Sequence, residues 1–271
     1  MKVSIITVVY NGRHTLGTTI NSVLSQQYAD IEYIIVDGNS KDGTQALIES
    51  AAQNHPIKWI SEPDKGIYDA MNKGIRMATG DVIGILNADD FYANDSVISQ
   101  VVETFRKTDA QSVYGDLAYV DAKEVGKIIR YWRSGTYRAG AFVTGWMPPH
   151  PTFFVKREVY EKYNTFDLRL RSAADYELML RLLHKHQISV AYLPQVMVMM
   201  RMGGASNASL RHRWRANRED RMAWKLNGLQ PHFLTLFLKP LRKVEQYIKA
   251  QRVSAASLTS EGYLQQLHTS I

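Results

Sequence analysis

The chain has 271 residues, of which 45% are hydrophobic, and it carries a formal net charge of +7 with no cysteine. The lack of cysteine excludes disulfides, thiolate metal sites and cysteine nucleophiles. No apolar run reaches the roughly 18 residues that a membrane-spanning helix needs. The first residues read as a buried strand rather than a secretory signal, so we expect a cytoplasmic protein.

The first 115 residues alternate between short apolar runs and segments with helical spacing. The apolar runs predict strands over residues 3–9, 31–36, 57–60, 82–86 and 112–115. The segments between them predict helices over residues 15–26, 43–53, 68–78 and 96–105. Repeated units of this kind indicate an α/β fold with a mostly parallel sheet covered by helices on both faces.

The pattern loosens from residue 117 to about residue 154, where glycines and aromatic residues predict a long surface excursion that shapes a substrate site. Beyond it, residues 158–163 and 175–186 have helical spacing, and residues 188–193 and 196–200 read as two strands. The segment from Arg211 to Arg252 then holds 11 lysines and arginines against three acidic residues. The basic character of the chain therefore lies in one C-terminal segment.

Polar residues follow three of the predicted strands. Asn11 follows the first strand, Asp37 opens a polar segment after the second, and the run Asn87-Ala88-Asp89-Asp90 follows the fourth. Ligands of parallel sheets bind beyond the carboxyl ends of the strands, so we expect these residues at one sheet edge. Carboxylate oxygens are ligands that Mg²⁺ and Mn²⁺ prefer. An isolated Asp-Asp pair also fits a turn before a helix, so its interpretation depends on the other two segments.

A fourth polar segment opens the predicted helix at residues 68–78. Gly66 stands where backbone N–H groups at a helix N-terminus bind a diphosphate. Asp69 and Asn72 are three residues apart, so they share one helix face. The alternative is an ordinary helix start with exposed polar residues.

In order and spacing, the segments 3–12, 36–44, 64–74 and 80–90 resemble family 2 glycosyltransferases of the GT-A fold, and the resemblance extends over residues 1–205. The variant with Asn87 is similar to bacterial enzymes that build O-antigen, capsule or exopolysaccharide units. The resemblance implies an inverting, metal-dependent enzyme that takes a sugar from a nucleotide-sugar donor, UDP-hexose or UDP-N-acetylhexosamine.

The resemblance also implies roles for single residues. The family's Asp-x-Asp motif falls on Asn87-Ala88-Asp89, so Asp89 is the expected ligand of Mg²⁺ or Mn²⁺, with Asp90 beside it. The acidic residue at the start of the helix 175–186 is the expected general base, which is Asp175, with Glu177 as the fallback. An N-cap is the structural alternative for Asp175. The expected nucleotide and diphosphate contacts are Thr7, Val9, Asn11, Asp37, Ser40, His150 and Arg201.

The expected organisation is a nucleotide-sugar-binding half at residues 1–115, an acceptor-binding half at 116–207 and a basic helical extension at 208–271. Aromatic and aliphatic residues among the cations of the extension suit the surface of an anionic membrane. A helical pair packed on the catalytic domain is the alternative. We expect a polyprenyl-diphosphate-linked saccharide acceptor at the inner face of the membrane, and no nucleic acid. Two other hypotheses are a catalytically silent nucleotide-sugar-binding protein and a basic nucleic-acid-binding module.

Overall fold

The computed structural model describes residues 1–203 and 210–230. The strands are β1 (Val3–Val9), β2 (Ile31–Asp37), β3 (Ile57–Ser61), β4 (Val82–Ile85), β5 (Asp90–Tyr92), β6 (Ser112–Val120), β7 (Ile128–Trp132), β8 (Phe154–Lys156) and β9 (Val190–Arg201). The α-helices are α1 (Arg13–Leu24), α2 (Thr44–Asn54), α3 (Ile67–Met77), α4 (Val97–Thr108), α5 (Arg157–Tyr163), α6 (Ala174–Met179) and α7 (Leu210–Leu226). The predicted elements of the first 115 residues are confirmed, with ends shifted by at most five residues, and β5 was not predicted.

The described strands form one sheet in the order β3-β2-β1-β4-β8-β6-β9-β5, with β7 paired to β6. The strands β3, β2, β1 and β4 are all parallel. In the second half, β8 runs antiparallel to β4 and β6, and β5 runs antiparallel to β9. The α/β class is confirmed, and the parallel part of the sheet is the part that carries the repeated strand–helix units.

Helices cover both faces of the sheet, as the buried strands predict. One hydrophobic cluster joins inward residues of α3 and α6 to one face of β1, for example Met71, Leu178 and Ile6. A second cluster joins α1, α2 and α4 to the other face, for example Leu16 and Ile48. The two clusters hold the carboxyl ends of the parallel strands at one edge.

Two predicted strands at the C-terminal side are one strand in the structure. Residues 188–193 and 196–200 were expected to be separate, but β9 is continuous from Val190 to Arg201. Its register with β6 shifts where Tyr114 pairs with Tyr192 and Asp116 pairs with Val196. Pro194 lies within this irregularity, and bulges are positions where strands tolerate proline. The proline therefore marks a bulge and not the end of a strand.

The loosened region is also more regular than its sequence indicates, because β6 continues to Val120 and β7 follows it. The predicted helix at 175–186 is α6 followed by a π-helical segment, Leu180–Lys185. No helix in the described residues is long and apolar enough to cross a membrane. Most of the predicted basic extension, namely residues 208–209 and 231–271, lies outside the described residues.

Candidate active site

The segments that follow the first four strands meet at one sheet edge, as predicted. A Cβ placed on Gly12 would lie 3.7 Å from the Cβ of Ala88, which brings the end of β1 beside the acidic segment. A Cβ placed on Gly38 would lie 2.4 Å from Oδ2 of Asp64, so the segments after β2 and β3 approach closely here. The edge therefore brings together residues from four separate parts of the sequence.

Asp37 is fully buried at the end of β2 and is held by two serines. Its Oδ2 accepts hydrogen bonds from the Ser40 N–H at 3.0 Å and the Ser61 hydroxyl at 2.6 Å, and its Oδ1 accepts one from the Ser40 hydroxyl. The N–H of Asn11 donates to Oγ of Ser40 at 2.7 Å. Asn11, Ser40 and Asp37 thus form one connected network. The sequence did not indicate Ser61, which joins the network because β3 pairs it with Asp37.

The last three residues of β1 lie beside this network, and their backbone is paired on one side only. The pairing of β1 with β4 reaches only Ile6, so residues 7–9 are paired with β2 alone in the register of the sheet. Thr7 and Val9 are buried, and the Thr7 hydroxyl lies 3.1 Å from the hydroxyl of Tyr33. Tyr10 follows with 67% of its surface exposed. An exposed aromatic ring at a strand end offers a face on which a planar base stacks.

The acidic segment lies between β4 and β5, and Asp90 is the first residue of β5. The side-chain N–H of Asn87 donates to Oδ2 of Asp90 at 3.2 Å. The Oδ1 atoms of Asn87 and Asp90 are buried and have no hydrogen-bond partner. Burial raises the pKa of Asp89, and burial together with the charge of Asp89 raises the pKa of Asp90 well above its usual range.

These residues fit a hard divalent cation. Two buried oxygens without partners and an adjacent carboxylate are the donor types that Mg²⁺ and Mn²⁺ prefer, and a positive charge offsets the cost of burying the carboxylates. Within the described residues, no group of three or more histidine and acidic side chains is arranged to hold a metal.

Arg201 lies at the end of β9, beside the acidic segment. Its Nη1 donates to the backbone oxygen of Asp89 at 3.2 Å, and its Nη2 donates to Oγ1 of Thr18 at 3.3 Å. Its guanidinium carbon lies 5.2 Å from the centre of the Phe91 ring. The arginine thus holds the acidic segment against α1 and supplies a positive charge next to it.

Asp175 lies in the first turn of α6, but it does not cap the helix, because the N-cap residue is Ala173. The hydroxyl of Tyr68 donates a 2.9 Å hydrogen bond to Oδ1 of Asp175. The ring of Tyr68 stacks on Phe166 with a centroid distance of 5.4 Å, and the His150 ring meets Phe166 edge-on at 5.5 Å. Tyr68 therefore links Asp175 to a cluster of aromatic rings from three segments. Tyr68 belongs to this group, although the sequence did not indicate it as a site residue.

Burial, reinforced by the negative charge of Asp175 and then that of Glu219, raises the pKa of Tyr68 well above its usual range. Its hydroxyl therefore stays protonated and keeps donating to Asp175. Burial lowers the pKa of His150, and the charge of Asp175 only partly opposes this. His150 is thus a neutral imidazole at pH 7.

Glu177, the fallback base, makes structural contacts with Arg181 and Asn227. It is buried, and its Oε1 lies 2.8 Å from Nε of Arg181 in an ion pair and 2.9 Å from the side-chain nitrogen of Asn227. Arg181 also donates to the backbone oxygens of Asn164 and Thr165. These partners hold the carboxylate of Glu177 within the fold, and its assignment as the fallback base stays a prediction.

The start of α3 also differs from the expectation. The N–H of Gly66 donates to Asp64 at 2.8 Å, and Oδ2 of Asp69 accepts from the N–H of Lys65 at 3.0 Å. Two carboxylates thus occupy the helix N-terminus, where a diphosphate was expected, and they would repel it. The amide of Asn72 bonds at both ends to the backbone of Phe166. All three residues therefore make contacts within the fold, and their role towards a diphosphate stays a prediction.

An open pocket of about 470 Å³ lies in the region that was predicted to shape a substrate site. It is lined by Ser134, Thr136, Arg138, Ala139, Gly140, Ala141, Thr144 and Trp146. Hydroxyl groups, one exposed cation and an indole are the groups that bind sugars and phosphates in shallow sites.

The model of the family described as "Glycosyl transferase family 2" matches residues 4–170. The chain belongs to this family. It is 33% identical over 184 residues to an uncharacterized glycosyltransferase of Mycobacterium tuberculosis (strain CDC 1551 / Oshkosh), an alignment that covers 66% of this chain and 68% of the relative. A family 2 glycosyltransferase is the assignment that the sequence predicted, and it is confirmed.

Two solved structures show the same fold. Staphylococcus aureus TarS 1-349, in complex with UDP-GlcNAc, aligns with a TM-score of 0.66 at 14% identity, over 98% of this chain and 78% of that one. The mannosyltransferase PcManGT of Pyrobaculum calidifontis, in complex with GDP-Man and Mn²⁺, aligns with a TM-score of 0.63 at 18% identity, over 99% of this chain and 81% of that one. The GT-A fold of the chain is thereby confirmed.

Proposed function

We propose that this glycosyltransferase is a metal-dependent, inverting enzyme that moves a hexose or N-acetylhexosamine from a UDP-sugar to a hydroxyl of a lipid-linked saccharide. The proposal rests on the carboxylate of Asp175, which a hydrogen bond from Tyr68 orients. Asp175 lies on α6, outside the part of the sheet that we propose binds the nucleotide. UDP-GlcNAc in the TarS complex and Mn²⁺ in the PcManGT complex support the donor class and the metal.

The nucleotide end of the donor lies at the edge formed by β1 and β2. Asp37 accepts a hydrogen bond from the base, because its position is fixed by Ser40 and Ser61 and a carboxylate has capacity for a further donor. The base stacks on Tyr10, and Asn11 and the backbone of Thr7 and Val9 line its pocket. Uracil is the base that we propose.

Asp89 would hold the metal together with the amide oxygen of Asn87, and Asp90 would stand behind them with its buried carboxyl. When bound, the cation polarises the diphosphate and offsets the charge of the leaving group. Arg201 adds a fixed positive charge near the same diphosphate, and its hydrogen bond to the backbone of Asp89 keeps the segment in place.

Asp175 takes the proton of the acceptor hydroxyl as that oxygen attacks the anomeric carbon and the bond to the diphosphate breaks. A sugar hydroxyl is a weak nucleophile until its proton has an acceptor in the transition state. One displacement inverts the anomeric centre. Tyr68 keeps the carboxylate in one orientation, and His150 contacts the acceptor beside it.

The pocket around Trp146 and Arg138 receives the acceptor. Its hydroxyls and indole suit a saccharide, and Arg138 suits the diphosphate of a polyprenyl carrier. Peripheral contact with an anionic membrane at the inner face, and a place in surface-polysaccharide synthesis, complete the proposal. The basic segment that would make this contact lies mainly outside the described residues.

The substitution Asp175→Asn tests the proposal directly. It should abolish sugar transfer while UDP binding, measured by calorimetry with Mn²⁺, stays within about twofold of the unsubstituted protein, because Asp175 lies on the acceptor side. EDTA should remove activity, and Mn²⁺ or Mg²⁺ should restore it. Full turnover in Asp175→Asn would refute the base assignment, and activity that persists in EDTA would refute the metal.

A further inference from the structure

The end of α7 packs against the helix that carries Asp175, and its contacts are polar as well as apolar. The indole N–H of Trp224 donates to the hydroxyl of Tyr176 at 2.9 Å, and the amide of Asn227 donates to Glu177 at 2.9 Å. Trp224 is almost fully buried within the hydrophobic cluster of that face. The residues of α7 from 219 onward are thus part of the catalytic domain, although the family match ends at residue 170.

Glu219 makes the contact closest to the start of α6. Its carboxylate oxygen Oε2 accepts hydrogen bonds from the backbone N–H of Arg171 at 3.0 Å and of Ser172 at 2.6 Å. These two residues lie directly before the N-cap, Ala173, and Asp175 follows in the first turn. Since α6 has no side-chain cap of its own, the carboxylate of Glu219 fixes the turn from which the helix begins.

The burial of the Glu219 carboxylate is compensated by its hydrogen bonds. Glu219 is 8% exposed, and burying a charge costs free energy unless hydrogen bonds compensate for it. Two charge-assisted bonds from backbone N–H groups provide that compensation. Glu219 is also close enough to the Tyr68–Asp175 pair for its charge to act on Tyr68.

We propose that Glu219 is a positioning residue for catalysis: by binding the backbone of Arg171 and Ser172, it sets the position of Asp175 relative to Tyr68 and the acceptor. This inference rests on the proposed role of Asp175. A displacement of about 1 Å at a reacting group costs up to about 100-fold in rate, so a brace on this turn has a catalytic consequence.

Three variants test the proposal. Glu219→Ala removes the acceptor for both N–H groups, and Glu219→Gln retains an oxygen that accepts them more weakly. The matched control is Glu32→Gln, because Glu32 is also a buried carboxylate that accepts a backbone N–H bond, from Thr79 at 2.8 Å, but at the opposite end of the sheet. All three full-length proteins are compared at a temperature well below their melting temperatures.

The first measurement is the release of UDP from UDP-GlcNAc and UDP-glucose with Mn²⁺, together with UDP affinity. We expect Glu219→Ala to lower kcat about tenfold or more with UDP affinity unchanged, and Glu219→Gln to recover part of the loss. We expect Glu32→Gln to lose stability but to keep its kcat. Equal loss of kcat in Glu219→Ala and Glu32→Gln, or no loss in Glu219→Ala, would overturn the proposal.

The second measurement is amide hydrogen exchange over residues 171–179, which does not depend on turnover. Glu219→Ala should speed exchange at Arg171 and Ser172 and in the first turn of α6, and Glu32→Gln should not. Unchanged exchange in Glu219→Ala would overturn the proposal even if the activity fell. A protein that binds no UDP would instead refute the proposed function, and the exchange data would still decide whether Glu219 fixes this turn.

Discussion

The hydroxyl of Tyr68 donates a 2.9 Å hydrogen bond to Oδ1 of Asp175, a residue 107 positions further along the chain. The bond joins α3 to α6, two helices that we propose lie on the nucleotide side and the acceptor side of the site. Because Tyr68 also stacks on Phe166, its ring is fixed independently of the hydrogen bond. The carboxylate therefore has one defined orientation that the substrate does not need to impose.

Tyr68→Phe should separate the orientation of Asp175 from the stability of the fold. The substituted ring keeps its stacking on Phe166, so the melting temperature should fall by only a few degrees. The lost hydrogen bond to a charged group corresponds to about 1.5 kcal/mol, or roughly a tenfold decrease in kcat. Steady-state kinetics should show this decrease with the donor KM unchanged. An unaltered kcat would mean that Tyr68 does not orient the base.

Asn87→Asp should make the fold more dependent on metal. The new carboxylate would stand beside Asp90, whose Oδ2 now accepts a hydrogen bond from Asn87, and like charges would meet in a buried place. We expect a lower melting temperature in EDTA and a larger rise on adding Mn²⁺ than in the unsubstituted protein, measured by thermal shift without any donor. A rise equal to that of the unsubstituted protein would exclude Asn87 from the metal site.

Arg138→Ala should weaken binding of an acceptor that carries a diphosphate. Arg138 is an exposed cation on the wall of the 470 Å³ pocket. Losing one contact between this charge and a phosphate should raise the KM for a short-chain polyprenyl-diphosphate-linked sugar about fivefold to tenfold. The control is Arg106→Ala, since Arg106 is exposed on α4, which covers the other face of the sheet. Equal KM values for the two variants would place the acceptor elsewhere.

The sequence was sufficient to predict the parallel half of the fold and the meeting of its polar segments, because both follow from local patterns. Strand ends that carry Asn11, Asp37 and Asp89 must share an edge once the strands are parallel. The family assignment followed from the same segments and is confirmed.

The partners of these residues were not predictable, because they depend on pairing and packing between distant segments. Ser61 reaches Asp37 through the register of β3 with β2, and Tyr68 reaches Asp175 across the interface of two helices. The same holds for Glu177, whose role in an ion pair with Arg181 is invisible until Asn227 of the C-terminal side is placed beside it. Local spacing predicts where a carboxylate lies along the chain, but it does not predict which distant residues bind it.

Glu32 offers a test of stability that is independent of the active site. It is buried at the start of β2, and its oxygens accept hydrogen bonds from Ser4 at 2.6 Å, from Thr79 and from the ammonium groups of Lys2 and Lys58. Burial acts to raise the pKa of this carboxyl, but the bonds from Lys58, Ser4 and Thr79 outweigh it and hold the pKa far below the ordinary value of 4.5. The folded state therefore stabilises the ionised form of Glu32 relative to the protonated form.

Glu32→Gln should destabilise the protein by about 1–3 kcal/mol at pH 7, because the amide cannot replace the anion towards two lysines and a backbone N–H. The sign of the pH dependence follows from the lowered pKa. The contribution of Glu32 is complete above pH 4.5, where the unfolded state is also ionised, and it is lost as the pH falls towards the folded pKa. Urea unfolding at several pH values should show a constant difference between the two proteins from pH 8 to pH 6 and a shrinking one below pH 4.5. A difference that grows as the pH falls would contradict the ionised state of Glu32.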